Sequence, residues 1–178
     1  MPMYRSWPVV PRPFDDEAFG SWFGRIAARY RIRVDELASA AGVSLDHEGL
    51  WLVSRPPQGQ ALQRLAMLCR LPARVIDAMA PQTLVVSRRF WYCYPCLDLN
   101  QQDVLSPYWR AAWLAQGADI CSTHPGDVWW IEAETIKRCA HMRDLVRYIR
   151  RKKEGLVVQE RRKALRLYPY TSEFRGLR

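Results

Sequence analysis

No apolar run in this sequence approaches the roughly 20 residues needed to cross a bilayer. The opening stretch, residues 1–13, holds prolines and arginines but no continuous apolar core of the kind a signal peptide needs, so the chain is expected to be cytoplasmic and to have no membrane partner. Glycine is sparse and dispersed: there is no Gly-rich phosphate loop and no GxSxG elbow. Carboxylates do not group either. Asp98, Asp103 and Asp119 stand singly, and Asp15 and Asp16 sit at an expected helix start, whereas a two-metal nuclease needs several converging on one site. These absences argue against an enzyme. No internal repeat and no low-complexity tract is present.

What remains is a chain with the means to fold. Of its 178 residues 49% are hydrophobic, which is enough for a buried core and excludes a disordered composition. Eight tryptophans are many for this length, and core filling is their expected role. The formal charge of +9 is unevenly placed. Residues 137–178 carry 14 Lys and Arg against 4 Asp and Glu, while residues 1–136 carry 13 against 14. A basic block confined to one end points to a polyanion, and nucleic acid is the usual one.

The cysteine count is odd, five, and histidine is scarce, three. Cys93-x2-Cys96 and, 24 residues on, Cys121-x2-His124 are two ligand pairs of ribbon-like spacing. Two ligands three apart on a tight turn can point at one tetrahedral ion, and a second such turn completes the set. A thiolate-rich set of four leaves no open position for water, so one structural zinc is expected, with Phe90, Trp91, Tyr92 and Trp113 as dry neighbours. Cys139 and His141 are two apart on a helical pattern and face different sides; they are read as non-ligands, as is His47. Cys69 is read as a buried thiol.

Along the chain, Pro2, Pro8, Pro11 and Pro13 keep the start extended. Asp15, Asp16 and Glu17 are expected to open a helix whose apolar face is Phe19, Trp22, Phe23, Ile26 and Tyr30, with Arg25 and Arg29 on the other side. Residues 34–44 read as a short helix, a turn at Gly42 and a candidate N-cap at Ser44, the look of the first half of a helix-turn-helix. The segment 45–51, with Gly49, is a poor recognition helix. Residues 61–69 and 73–79 form a second helical pair, with Leu62, Leu65, Ala66 and Cys69 on one face and Pro72 at a helix start. Strands are expected at Leu84-Val85-Val86 and Phe90-Trp91-Tyr92, a short strand or a helix start at Trp129-Trp130-Ile131, and a helical turn or two around Tyr108 to Trp113. A long helix is expected over 135–153, with Ile136, Cys139, Met142, Val146 and Ile149 as its apolar stripe. Glu154-Gly155 is expected to stop it, and a last short helix to run over 159–167 before Tyr168-Pro169-Tyr170. The fold class is therefore mainly α: a helix-turn-helix-like helical domain (1–82), a small zinc-ribbon module (83–132) and basic C-terminal helices (133–178). Arg143, Arg147, Arg150, Arg151, Lys152, Lys153, Arg161, Arg162 and Lys163 are the candidate nucleic-acid contacts.

Three segments together carry a resemblance. Residues 16–27 contain Glu17, then Ser21-Trp22, then Arg25-x-Ala27; residues 89–97 set an arginine and aromatics before CxxC; and Tyr108 to Trp113 runs into Cys121-x2-His124. In this the chain resembles the TniQ/TnsD family over roughly residues 10–130. The resemblance implies a helix-turn-helix N-terminal domain, zinc-ribbon modules and no catalysis. It also implies an adaptor in a bacterial cytoplasm, at the nucleoid, that bridges a targeting signal (DNA read directly, or an RNA-guided CRISPR complex) to an AAA+ ATPase regulator of transposition. A second copy of the chain is a further candidate partner. Many members carry a second CxxC-type pair soon after the first, whereas here Cys139 is the only later cysteine, and many that read DNA directly are much longer. Both departures favour a compact adaptor whose basic end holds DNA phosphates non-specifically or binds RNA. The competing expectation is a stand-alone zinc-containing DNA-binding regulator of transcription that uses the turn at 34–44.

Overall fold

The computed structural model describes residues 6–45, 49–81, 86–100, 102–103, 106–115, 121–126 and 128–167, with side chains through 159. Helix α1 (Phe19–Tyr30) starts two residues beyond the acidic run, and its first turn holds no acidic side chain. The apolar face expected for it is real: Phe19, Trp22, Phe23 and Ile26 are all fully buried. Helix α2 (Val34–Ala41) ends at Gly42, whose φ of 66° is the left-handed turn that glycine adopts without strain.

No recognition helix follows that turn among the described residues. Residues 46–48, His47 included, lie outside them, and Leu50 to Ser54, which include a 3-10 turn at Trp51–Val53, are buried. Helix α1 presses on this turn closely. A Cβ at Gly20 would lie 2.3 Å from the Trp51 carbonyl oxygen, and one at Gly24 would lie 2.7 Å from the Trp51 ring. A segment clamped in this way cannot enter a groove of DNA. Helices α3 (Gly59–Cys69) and α4 (Ala73–Asp77) form the second pair, with Pro72 immediately before the first turn of α4.

The sheet has two antiparallel strands, β1 (Arg89–Cys93) and β2 (Val128–Glu132), paired from Arg89↔Glu132 to Cys93↔Val128. Of the earlier strand expected at 84–86, Leu84 and Val85 lie outside the described residues and Val86 is exposed coil. A short helix α5 (Tyr94–Asp98) leaves β1. The helical turn expected from Tyr108 begins only at Ala111, as a 3-10 turn over Ala111–Leu114. The chain before it is extended because the Trp109 amide donates to Ser21 Oγ at 2.8 Å and its carbonyl accepts from the Ala18 amide at 2.9 Å.

The expected single helix over 135–153 is instead two: α6 (Ala133–Arg138) and α7 (Met142–Leu167). The break has a tertiary cause. The Cys139 carbonyl accepts from Trp51 Nε1 at 3.0 Å, and the Ala140 carbonyl accepts from the Val34 amide at 2.9 Å, so neither is left for a helical ladder. The expected stop at Gly155 does not occur. Helix α7 runs through it to Leu167, since one glycine in a helix interior costs only about 1 kcal/mol and no proline intervenes. The apolar stripe holds across the break: Ile136, Cys139, Met142, Val146 and Ile149 are all buried.

Of the tryptophans, Trp22, Trp51, Trp109 and Trp113 are buried, and Trp7, Trp91, Trp129 and Trp130 are half-buried. The chain gathers into two units, residues 1–146 and 147–178. Among the described residues no helix is long and apolar enough to cross a membrane.

Candidate metal centre

Cys93 ends β1 and Cys96 lies one turn on in α5, whose Tyr94-Pro95 start sets the tight reversal between them. Cys121 and His124 come from the loop ahead of β2, and Pro125 and Gly126 turn that loop toward the strand. The four ligand atoms all lie within 4.8 Å of one another. His124 Nδ1 is 3.4 Å from Cys93 Sγ, 3.2 Å from Cys96 Sγ and 3.9 Å from Cys121 Sγ, and the Cys96–Cys121 sulfur separation is 3.8 Å. A metal–sulfur bond of about 2.3 Å in a tetrahedron puts ligands roughly 3.8 Å apart, so the donor set fits one tetrahedral ion. The three thiols are buried and the imidazole is half-buried.

The thiols are not equivalent before an ion neutralises them. Burial pushes Cys93 up to about 12 and raises Cys96, with the Arg110 guanidinium pulling Cys96 the other way. Burial is the largest single influence on Cys121 too, but hydrogen bonds from the backbone amides of His124 and Thr123, together with those to the Cys93 and His124 side chains, outweigh it and bring that thiol down to about 6. Cys139 and Cys69 are buried outside the cluster, their thiols pushed up to about 11 and about 12 by burial, and His141 lies 3.4 Å from Asp144 instead.

Segments far apart in sequence fasten this centre to the helices. Glu17 forms an isolated bridge with Arg110. The Asp16 carboxylate takes the Tyr108 hydroxyl and, at 3.2 Å, Arg110 Nε. Beside it, the buried Glu17 accepts from Ser21 Oγ at 2.8 Å and from the Phe14 amide at 3.2 Å, and pairs with Arg25 at 3.0 Å. Arg25 in turn donates to the Arg12 carbonyl at 2.6 Å and covers the Phe14 ring at 4.6 Å, while Trp22 Nε1 donates to the Pro11 carbonyl at 2.8 Å. Glu17 thus opens no helix, and Arg25, with 10% of its side chain exposed, does not face solvent. Composition and helical period give no hint of this network. The only signal was that Glu17, Ser21, Trp22 and Arg25 recur together as a motif.

The basic candidates stand apart from the metal centre in sequence. Arg143, Arg147, Arg150 and Arg151 are exposed on α7, and Lys152 and Lys153 are half-buried. Arg161, Arg162 and Lys163 lie on α7 with side chains outside the described residues.

Helices bound to a two-stranded sheet with a Cys3His cluster at its end make this a helical scaffold that could hold one metal ion. The TniQ family model matches residues 8–125, about two-thirds of the chain and the whole Cys3His set. The chain therefore belongs to the TniQ family, whose members are adaptors rather than enzymes, and membership implies a transposition-associated role in target selection. No curated protein and no solved structure matches it.

Proposed function

We propose that this protein is a target-selection adaptor that links a targeting signal, either a DNA site or an RNA-guided complex, to an AAA+ regulator of transposition. The observation that carries this reading is the family match over 8–125, which takes in helices α1 to α5 and the Cys3His cluster. In this reading residues 1–82 present the helical, helix-turn-helix-like surface to protein partners, residues 83–132 are a zinc-ribbon-like module, and residues 133–178 are the basic end. Cys93, Cys96, Cys121 and His124 hold one zinc ion, because three thiolates and an imidazole close a tetrahedron with no position left for substrate. The ion is structural: it ties the end of β1 to the loop before β2.

Arg143, Arg147, Arg150 and Arg151 recur at about one helical turn, so they fall on one face of α7. With Lys152, Lys153, Arg161, Arg162 and Lys163 they hold nucleic-acid phosphates without reading sequence. The buried turn at 51–53 supports this over a self-sufficient reader of DNA sequence.

The test is a tagged pull-down from native cells with and without nuclease treatment. Nuclease-resistant recovery of an AAA+ ATPase or of CRISPR effector subunits supports the adaptor. Recovery of nucleic acid alone would replace it with a DNA-binding regulator.

A further inference from the structure

The two faces of the sheet are unlike. Cross-strand partners share a face, and the register puts Phe90 with Ile131 and Tyr92 with Trp129 on one of them. Phe90, Tyr92 and Ile131 are at most 2% exposed, so this face is the inner one. The other face pairs Trp91 with Trp130, and Arg89 with Glu132. Both tryptophans are half-buried, and Arg88 and Arg89 are exposed. The Arg89 guanidinium carbon lies 4.3 Å from the centroid of the Trp130 ring. Although Glu132 is its partner in register, no ion pair joins the two among the described residues, so the cation is held by the indole and not by the carboxylate.

From this arrangement we propose that the outer face of the sheet is a base-stacking platform for single-stranded DNA. Indoles and an arginine plane accept any base by its π-face, and an adjacent cation takes the phosphate. Here Trp91 and Trp130 are the stacking surface, and Arg89, exposed and over the Trp130 ring, is the cation that takes the phosphate. Glu132 repels the backbone from the opposite edge. The bases of a duplex are already stacked on one another, so the platform selects unpaired strands. Trp91 lies two residues from Cys93, which pairs with Val128 at the buried end of the same face, and Arg89 lies at the other end. An apolar protein partner would have no use for an exposed arginine lying over the indole. The choice of DNA over RNA rests on the transposition role; the stacking itself does not.

The test is anisotropy titration of the full, metal-loaded chain with labelled oligothymidylate, with oligouridylate and a duplex of equal length as comparisons. Arg89→Ala and Trp130→Ala should each weaken oligothymidylate binding about fivefold or more and leave duplex binding alone. Trp130→Phe should recover part of the loss. Arg89 is exposed, so its variant remains informative if Trp130→Ala fails to fold. Unchanged oligothymidylate affinity in a folded, metal-replete Arg89→Ala protein would overturn the proposal, as would no binding by the parent. Tighter oligouridylate binding through the same residues would overturn the assignment to DNA. The readout needs neither an AAA+ partner nor α7, so failure here and failure of the adaptor reading are separate results.

Discussion

Glu17 has no exposed side-chain surface, yet it faces a guanidinium, a hydroxyl and an amide. Burial is the largest influence on it and outweighs these partners, raising its pKa from 4.5 to about 7. Folding then takes up a proton between those two values. The stability this group contributes is fully present below the lower value and is lost as pH rises through the upper one. The melting temperature of the parent should fall between about pH 5 and about pH 8, and Glu17→Gln should remove that part of the slope. Equal slopes in the two proteins would mean that Glu17 stays ionised throughout. At Gly20 the argument is steric. A methyl there meets two backbone carbonyl oxygens within 2.4 Å, so Gly20→Ala should cost about 1–3 kcal/mol or more in urea unfolding. An unchanged midpoint would mean that the turn at 51–53 yields easily.

At the scale of elements, α7 divides what the sequence made legible from what it hid. Its apolar stripe was readable because side chains at helical spacing must share a face. Its break from α6 was not, because the groups that claim the carbonyls of Cys139 and Ala140 are Trp51, 88 residues away in sequence, and Val34. That the two Cys/His pairs come together was readable from spacing alone, and the early helices from their periodicity. The sheet register and the place of Glu17 depend on partners that no local window contains. Since α7 passes through an exposed Gly155 with no atom near an added Cβ, Gly155→Ala should stabilise the helix by about 0.5–1 kcal/mol. Circular dichroism of the full chain through a thermal melt would register it, and a loss of helicity would contradict a continuous helix. On the same element, Arg147→Glu with Arg151→Glu should weaken duplex binding and flatten the dependence of log affinity on log salt by about 2. An unchanged slope would reduce the basic face to solvated surface.

For the whole molecule, the metal centre and the helices of the first unit share one set of bonds. Residues 108–111, ahead of Cys121, are held by Asp16, Ala18 and Ser21 at the start of α1. Losing the ion should therefore be felt outside the cluster. In hydrogen exchange on the full chain, chelation or Cys96→Ser should reduce amide protection across α1 as well as in β1 and β2, because binding free energy here is folding free energy. Protection lost in the strands alone would make the two parts independent.

The fastening by Glu17, Ser21, Trp22 and Arg25 also bears on how genetics on this protein would be read. These are among the positions that carry the resemblance to TniQ proteins, and all four are occupied with holding the interior together. Substitutions there would deplete the protein in the cell before they altered any choice of insertion site. A screen scored only on transposition would rank them among its strongest hits and mistake scarcity for lost recognition. Normalising each hit to protein abundance would strip them out and leave the surface residues that choose.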